Sequence, residues 1–115
     1  MDHTESPIIL RLKKATTELL LLSLLNETDM YGYQLATEIK QRSHELCACK
    51  ETSLYPILNR LLEKDMVTTS NVVTEKKKIR VYYHLSETGK AYYENMKENY
   101  AIYIATVNHI LKLEV

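Results

Sequence analysis

Hydrophobic positions recur with a helical period in four stretches of the chain and switch to strand-like alternation between them. Ile8, Leu12, Ala15 and Leu19 fall at i, i+4, i+7 and i+11, with Ile9, Leu20 and Leu24 on a neighbouring row. A stripe wider than one core contact predicts that this first helix also meets something outside its own domain. Ser6-Pro7 signals its start. The polar NETD at 26–29 interrupts the pattern and caps a second helix over about 31–43, with Leu35 and Ile39 inward. Cys47 and Cys49 then alternate with polar or small neighbours, as in a short strand. A third helix, about 51–64, places Leu54, Ile57, Leu58, Leu61 and Leu62 on one side. Thr52, Pro56, Asn59, Arg60 and Glu63 fall on the other. MVTTSNVV, TEKKK and IRVYYHL read as a hairpin with a polar tip. Ser86 caps a last helix in which Tyr93, Met96, Tyr100, Tyr103, Val107 and Ile110 form an a/d seam with no internal partner long enough to cover it.

The order predicts a mainly α fold with a small β-hairpin, a winged helix-turn-helix plus a long C-terminal helix. Its 115 residues suit one core. The expected division is a flexible arm over 1–7, the winged helix over 8–85 and the terminal helix over 86–115. No apolar run reaches the roughly 18 residues of a membrane span, and MDHTES is too polar for a signal peptide. Two cysteines one residue apart are no disulfide framework, so a reducing cytoplasm is expected.

Fifteen basic and fifteen acidic side chains cancel, so charge matters here through its distribution. Arg11, Lys13 and Lys14 lie in the first helix; Lys50, Arg60 and Lys64 flank or lie within the third. Lys76, Lys77, Lys78 and Arg80 crowd the hairpin tip beside Glu75 alone. A charge run is commonly a solvated face, and position decides against that here. Beside a third helix of this kind, such a tip can grip phosphate or enter the minor groove. The exposed N-terminal residues of that helix, Thr52, Ser53, Pro56 and Asn59, reach base edges in a major groove, where Asn can pair with adenine.

MYGY at 30–33, SLYPILNRLLEKDMV at 53–67 and RVYYHLSETGK at 80–90 resemble the PadR-like regulators, specifically the short members with a single C-terminal helix. The resemblance runs from about Ile8 to Leu111. It implies a sequence-specific DNA-binding transcriptional repressor acting as a homodimer on double-stranded DNA, with no cofactor. It also implicates the Tyr55 hydroxyl at a phosphate; the Lys50 charge, which is no part of the family pattern, would be useful beside one as well. The chain departs from the pattern in having Lys50 for Ser or Asn, Asp65 for Gly, and Val81 and His84 where the wing usually carries basic residues.

The seam residues predict dimerisation through Ile8, Tyr93, Met96, Tyr100, Tyr103, Val107 and Ile110, hence a pseudo-palindromic operator. In the family, the first helix completes that interface. Some small relatives bind planar aromatic compounds there, which implies Leu12, Ala15, Leu19, Tyr100 and Tyr103 as walls for a small hydrophobic or aromatic effector. The alternative for these tyrosines is plain dimer packing.

His44, Cys47 and Cys49 resemble part of a metal site, but ELCAC abuts the third helix where the family pattern has apolar residues, and no metal site is expected. If exposed beside Lys50 and a helix N-terminus, Cys49 would have a lowered pKa. No glycine-rich phosphate loop, paired carboxylates or nucleophile–histidine set suggests an enzyme. The alternatives to a repressor are a winged-helix protein-interaction module, an antirepressor or adaptor, and a cysteine-based metal or redox sensor.

Overall fold

The computed structural model describes residues 7–113. Four helices and three strands follow in the order α1 (Pro7–Glu27), β1 (Met30–Tyr31), α2 (Gly32–Arg42), α3 (Glu51–Glu63), β2 (Val67–Val73), β3 (Ile79–Leu85) and α4 (Glu87–Leu111). The strands form one antiparallel sheet in the order β1-β3-β2. This is a winged helix-turn-helix carrying a long terminal helix.

Helix α1 divides at its middle. Leu19, Leu21, Leu22, Leu24 and Leu25 are buried, whereas Ile8, Leu10 and Leu12 remain exposed. The buried half joins Leu35 and Ile39 of α2, Leu54, Leu58 and Leu61 of α3, Val67, Tyr83 and Tyr93 in one core. Pro7 opens the helix, so the arm expected over 1–7 yields its last residue to α1; residues 1–6 lie outside the described residues.

Two expectations for the middle of the chain need correction. Cys47 and Cys49 lie in the connection after α2, with Cys47 in a turn that begins at Ser43, and form no strand. The turn closes through Glu45 N–H to the Lys40 carbonyl at 2.8 Å and Cys47 N–H to Ser43 Oγ at 3.0 Å. His44 and Glu45 have φ of 50° and 71°, left-handed values that break strand geometry. The third strand comes instead from Met30–Tyr31, which pairs with Tyr83 and Tyr82 and precedes rather than opens α2.

The two glycines stand at close approaches. A Cβ on Gly89 would collide with the Met66 carbonyl and lie 2.7 Å from Leu85 Cδ1. One on Gly32 would lie 2.9 Å from the Tyr55 hydroxyl. The first approach seats α4 on the root of the hairpin, and the second seats α2 on α3. Asp65, where the family pattern has Gly, takes a left-handed φ of 57°. Its carbonyl accepts from Ser86 Oγ at 2.6 Å, and that oxygen accepts from Gly89 N–H at 3.0 Å. One serine thus caps α4 and ties it to the turn between α3 and β2.

Candidate nucleic-acid interface

The amphipathic spacing of α3 settles its orientation. Leu54, Leu58 and Leu61 enter the core, leaving Thr52, Ser53, Tyr55, Pro56, Asn59 and Arg60 exposed. Pro56 lies inside the helix, and its missing N–H leaves the Thr52 carbonyl without its usual helical donor on the exposed side. Lys50 is the N-cap residue, extended, with no side-chain capping bond, so its ammonium is exposed ahead of the helix.

Tyr55 is already engaged. Its hydroxyl donates to Glu51 Oε1 at 2.6 Å, and this acceptor carboxylate is the main reason the phenol is pushed up to about 12. The phenol is therefore a neutral donor at physiological pH, but its proton is directed along the helix. The i, i+4 relation of Glu51 and Tyr55 was readable in the sequence, since such pairs meet on one helix face.

The hairpin supplies the second surface. Lys76, Lys77 and Lys78 occupy the exposed tip, where Lys77 has a φ of 59° and the Thr74 N–H donates to the Lys78 carbonyl at 2.8 Å. Arg80 does not lie in the loop with them. It is on β3, opposite Val72, with its guanidinium 4.6 Å from the Tyr31 ring centroid. Tyr31 in turn packs edge-on against Tyr82 at 5.3 Å. Sequence reasoning missed this stack because β1 is only two residues long.

A polar bridge also escaped it. His84 Nδ1 lies 2.8 Å from Asp29 Oδ2, and His84 Nε2 lies 2.7 Å from Ser70 Oγ. The three residues tie the approach to β1, strand β3 and strand β2 together. His84 stands where the family pattern is basic, and here it fastens the root of the wing.

The expected seam on α4 splits as α1 does. Tyr93 is buried in the chain's own core, with its hydroxyl donating to Ser23 Oγ at 3.1 Å, and it does not belong to an outward seam. Met96 is half-buried against the same core. Tyr92 reaches Glu18 Oε2 at 3.2 Å. Beyond this first part, Tyr100, Ile102, Tyr103, Ile110 and Leu111 are exposed. The hydrophobic spacing continues unbroken across the change, so periodicity alone could not locate it.

Leu12, Ala15, Leu19, Tyr100 and Tyr103 line one cleft of about 680 Å³ between α1 and α4. Arg11, Lys13, Leu46 and Cys47 share it, the last two from the turn leading to α3. Lys13 Nζ also donates to the Ala48 carbonyl at 2.6 Å, so α1 directly holds this turn. Cys49 is half-buried, so the exposure on which a lowered pKa was conditional is not met; burial raises its pKa while nearby Lys13 partly offsets the effect. Among the described residues no group of three His, Cys, Asp or Glu is placed to hold a metal ion. None of their helices is long and apolar enough to cross a membrane.

Comparison with known proteins agrees with this geometry. The chain is 30% identical over 82 residues to uncharacterized protein X of Lysinibacillus sphaericus, covering 71% of this chain and 75% of that protein. Among solved structures, a transcriptional regulator of Clostridium thermocellum shares 29% identity with a TM-score of 0.78, over 86% of this chain and 96% of that one. A PadR-like transcriptional regulator of Bacillus cereus shares 26% identity with a TM-score of 0.75, over 88% and 96%. Bacillus subtilis PadR, solved in complex with operator DNA, has a like fold at 21% identity and a TM-score of 0.65, over 70% of this chain and 46% of that one. Residues 21–95 match the transcriptional regulator PadR-like family. With its winged helix, its long terminal helix and this match, the chain belongs to the PadR-like family of transcriptional regulators.

Proposed function

We propose that this chain is a sequence-specific repressor that binds double-stranded DNA as a homodimer and is released by a small hydrophobic or aromatic effector. The observation that carries the reading is the joint exposure of the polar side of α3 and of a three-lysine tip on the hairpin that follows it. Thr52, Ser53, Pro56 and Asn59 read base edges in the major groove, with Asn59 suited to adenine. Lys50, Arg60 and the wing residues Lys76, Lys77, Lys78 and Arg80 bind phosphates, and Arg80 does so from its stack on Tyr31. Tyr55 transfers its hydrogen bond from Glu51 to a phosphate as the helix docks. The DNA-bound Bacillus subtilis PadR, alike in fold, supports this placement.

Dimerisation uses the uncovered outer parts of α1 and α4, with Ile8, Tyr100, Tyr103, Val107 and Ile110 at the contact and Met96 at its edge. Two-fold pairing presents two copies of α3 to a pseudo-palindromic operator. The cleft beside this contact takes the effector, walled by Leu12, Ala15, Leu19, Tyr100 and Tyr103.

Selection of bound sequences from random DNA, followed by gel shifts over a salt series, tests the reading. The selected site is expected to be a pseudo-palindrome. Replacing Lys76, Lys77 and Lys78 with Gln should lower the salt slope by about 0.9 for each phosphate that is no longer neutralised. Asn59→Ala should relax preference at one base pair by about 1–3 kcal/mol. Failure to retard any duplex at low salt would overturn DNA binding and favour the protein-interaction module.

A further inference from the structure

Pleating sorts the hairpin side chains onto two faces. Thr69, Asn71 and Val73 of β2 stand opposite Tyr83, Val81 and Ile79 of β3, so these six share one face. Tyr83, at its inner end, is buried and its pKa is raised first by that burial, then by the charge of Glu51 at the start of α3. The face therefore runs outward from the core, at Tyr83, to the wing tip. Its outer end is aliphatic: Val73 is 67% exposed and Ile79 is 66% exposed, with Val81 at 40%. Exposing such side chains to water costs free energy, and at a tip with three lysines they contribute nothing to charge.

Charge complementarity identifies what covers them. The lysines draw the tip to a polyanion, but phosphates offer nothing to Val73 and Ile79. The minor groove of duplex DNA offers both chemistries, with phosphates along its rims and deoxyribose carbons forming its walls. Val73 and Ile79 are directly opposed, so their Cβ atoms lie about 5 Å apart, and with its methyl groups the pair is wider than a relaxed groove of about 6 Å and enters only by prying it open. The geometry points to Val73 and Ile79 as an apolar wedge that enters the minor groove and partly opens a base step, flanked by the lysines that hold it there. This rests on the DNA-binding reading above and adds how the wing selects sequence. Aliphatic wedges unstack DNA in other minor-groove proteins, and pyrimidine–purine steps open most easily. The wing thus selects a TpA or CpA step flanking each half-site without hydrogen bonding to it.

The test uses a duplex selected by the full-length protein from random DNA, with 2-aminopurine replacing adenine at its flanking pyrimidine–purine steps. Wild-type protein should raise the fluorescence of one such step per half-site several-fold and bend the duplex in a phasing gel. Val73→Thr with Ile79→Thr keeps β-branching, so the hairpin persists; circular dichroism and the thermal midpoint check that. This variant should bind about tenfold more weakly, as apolar burial is removed, with the salt slope unchanged and both the fluorescence rise and the bend absent. The triple variant Lys76→Gln, Lys77→Gln, Lys78→Gln should do the reverse, lowering the salt slope while the saturated complex keeps its fluorescence. The wedge is overturned if wild type binds without unstacking, if the selected sites lack a flanking pyrimidine–purine step, or if the Thr variant still unstacks the duplex. It is also overturned if the Thr variant changes only self-association in sedimentation, since a second copy would then cover the patch. Complete absence of DNA binding would overturn the parent reading as well, which separates the two failures.

Discussion

Replacing Ile110 with Ser should weaken the proposed dimer without unfolding the protomer. Ile110 is 72% exposed in the last turns of α4, outside the core. Full burial of an isoleucine is worth about 1.5–3 kcal/mol, so covering the exposed part contributes about 1–2 kcal/mol per copy. A two-fold contact counts each substitution twice, giving about 2–4 kcal/mol, or roughly a 30- to 1,000-fold rise in the dimer Kd. Isoleucine and serine have similar helix propensities, so α4 itself should persist. Sedimentation equilibrium over a concentration series measures the Kd, with circular dichroism as a check on helix content. Ala105→Ser, at an exposed position turned away from the seam, serves as the control and should leave the Kd unchanged. A less than threefold change in Ile110→Ser, equivalent to about 0.65 kcal/mol, would refute the assigned contact. A wild-type chain that sediments as a folded monomer at micromolar concentration would refute the paired architecture.

Three further outcomes follow from the local geometry. Gly89→Ala should destabilise the chain by at least about 1–3 kcal/mol, because the Met66 carbonyl is backbone and cannot swing aside; a thermal midpoint that stays put would contradict this. Asp65→Gly should raise the urea midpoint, gaining about 0.5–1 kcal/mol by relieving a left-handed non-glycine residue while keeping the Ser86 bond to its carbonyl. Glu51→Gln should move the Tyr55 midpoint down from about 12 in an absorbance titration, with Tyr55→Phe identifying the signal. The sign follows from the raised folded-state value: the Glu51 contact supports the fold below the ordinary phenol pKa of about 10 and fades as pH rises toward 12. On the phosphate role proposed for Tyr55, the same variant should bind DNA more tightly, since it removes the carboxylate that now holds the phenol proton.

The exposed polar side of α3 was legible because five leucine and isoleucine positions fix one side of a helix and so expose the other. The wing was legible from β-branched runs around TEKKK, and the cleft walls from the resemblance to small relatives of the family. What escaped depended on contacts distant in sequence. Two residues carry too little pattern to announce β1, so the Arg80–Tyr31–Tyr82 stack and the Asp29–His84–Ser70 bridge stayed hidden. Cys47 and Cys49 imitate strand alternation over too few residues, and the left-handed pair His44 and Glu45 decides otherwise. Tyr93 continues an unbroken heptad, yet Ser23 on α1 claims its hydroxyl. Asp65 is the converse case: its departure from a glycine pattern marked the position, and the backbone there is left-handed.

The division of α1 and α4 bears on how a ligand in the cleft would reach DNA. The first turns of α4 are fixed to the wing root by the Ser86 cap, the Asp65 carbonyl and the Gly89 approach to Met66. Its 25 residues make a rod about 37 Å long, with the exposed seam at the far end. A tilt of about 5° at that seam displaces the fixed end by about 3 Å, close to the rise of one base pair. Each wing and reading helix would follow, because the attachment leaves little freedom at the root. A second route is shorter: Leu46 and Cys47 line the cleft, and three residues later the chain reaches Lys50, the N-cap of α3. Lys13 lines the same cleft and holds the Ala48 carbonyl between them. An effector that merely fills the cleft equally in both states would shift nothing; it must favour the displaced seam or the displaced turn to release DNA. Lys13→Met separates the routes, since it should uncouple release through the turn while leaving the rod and its dimer contact intact.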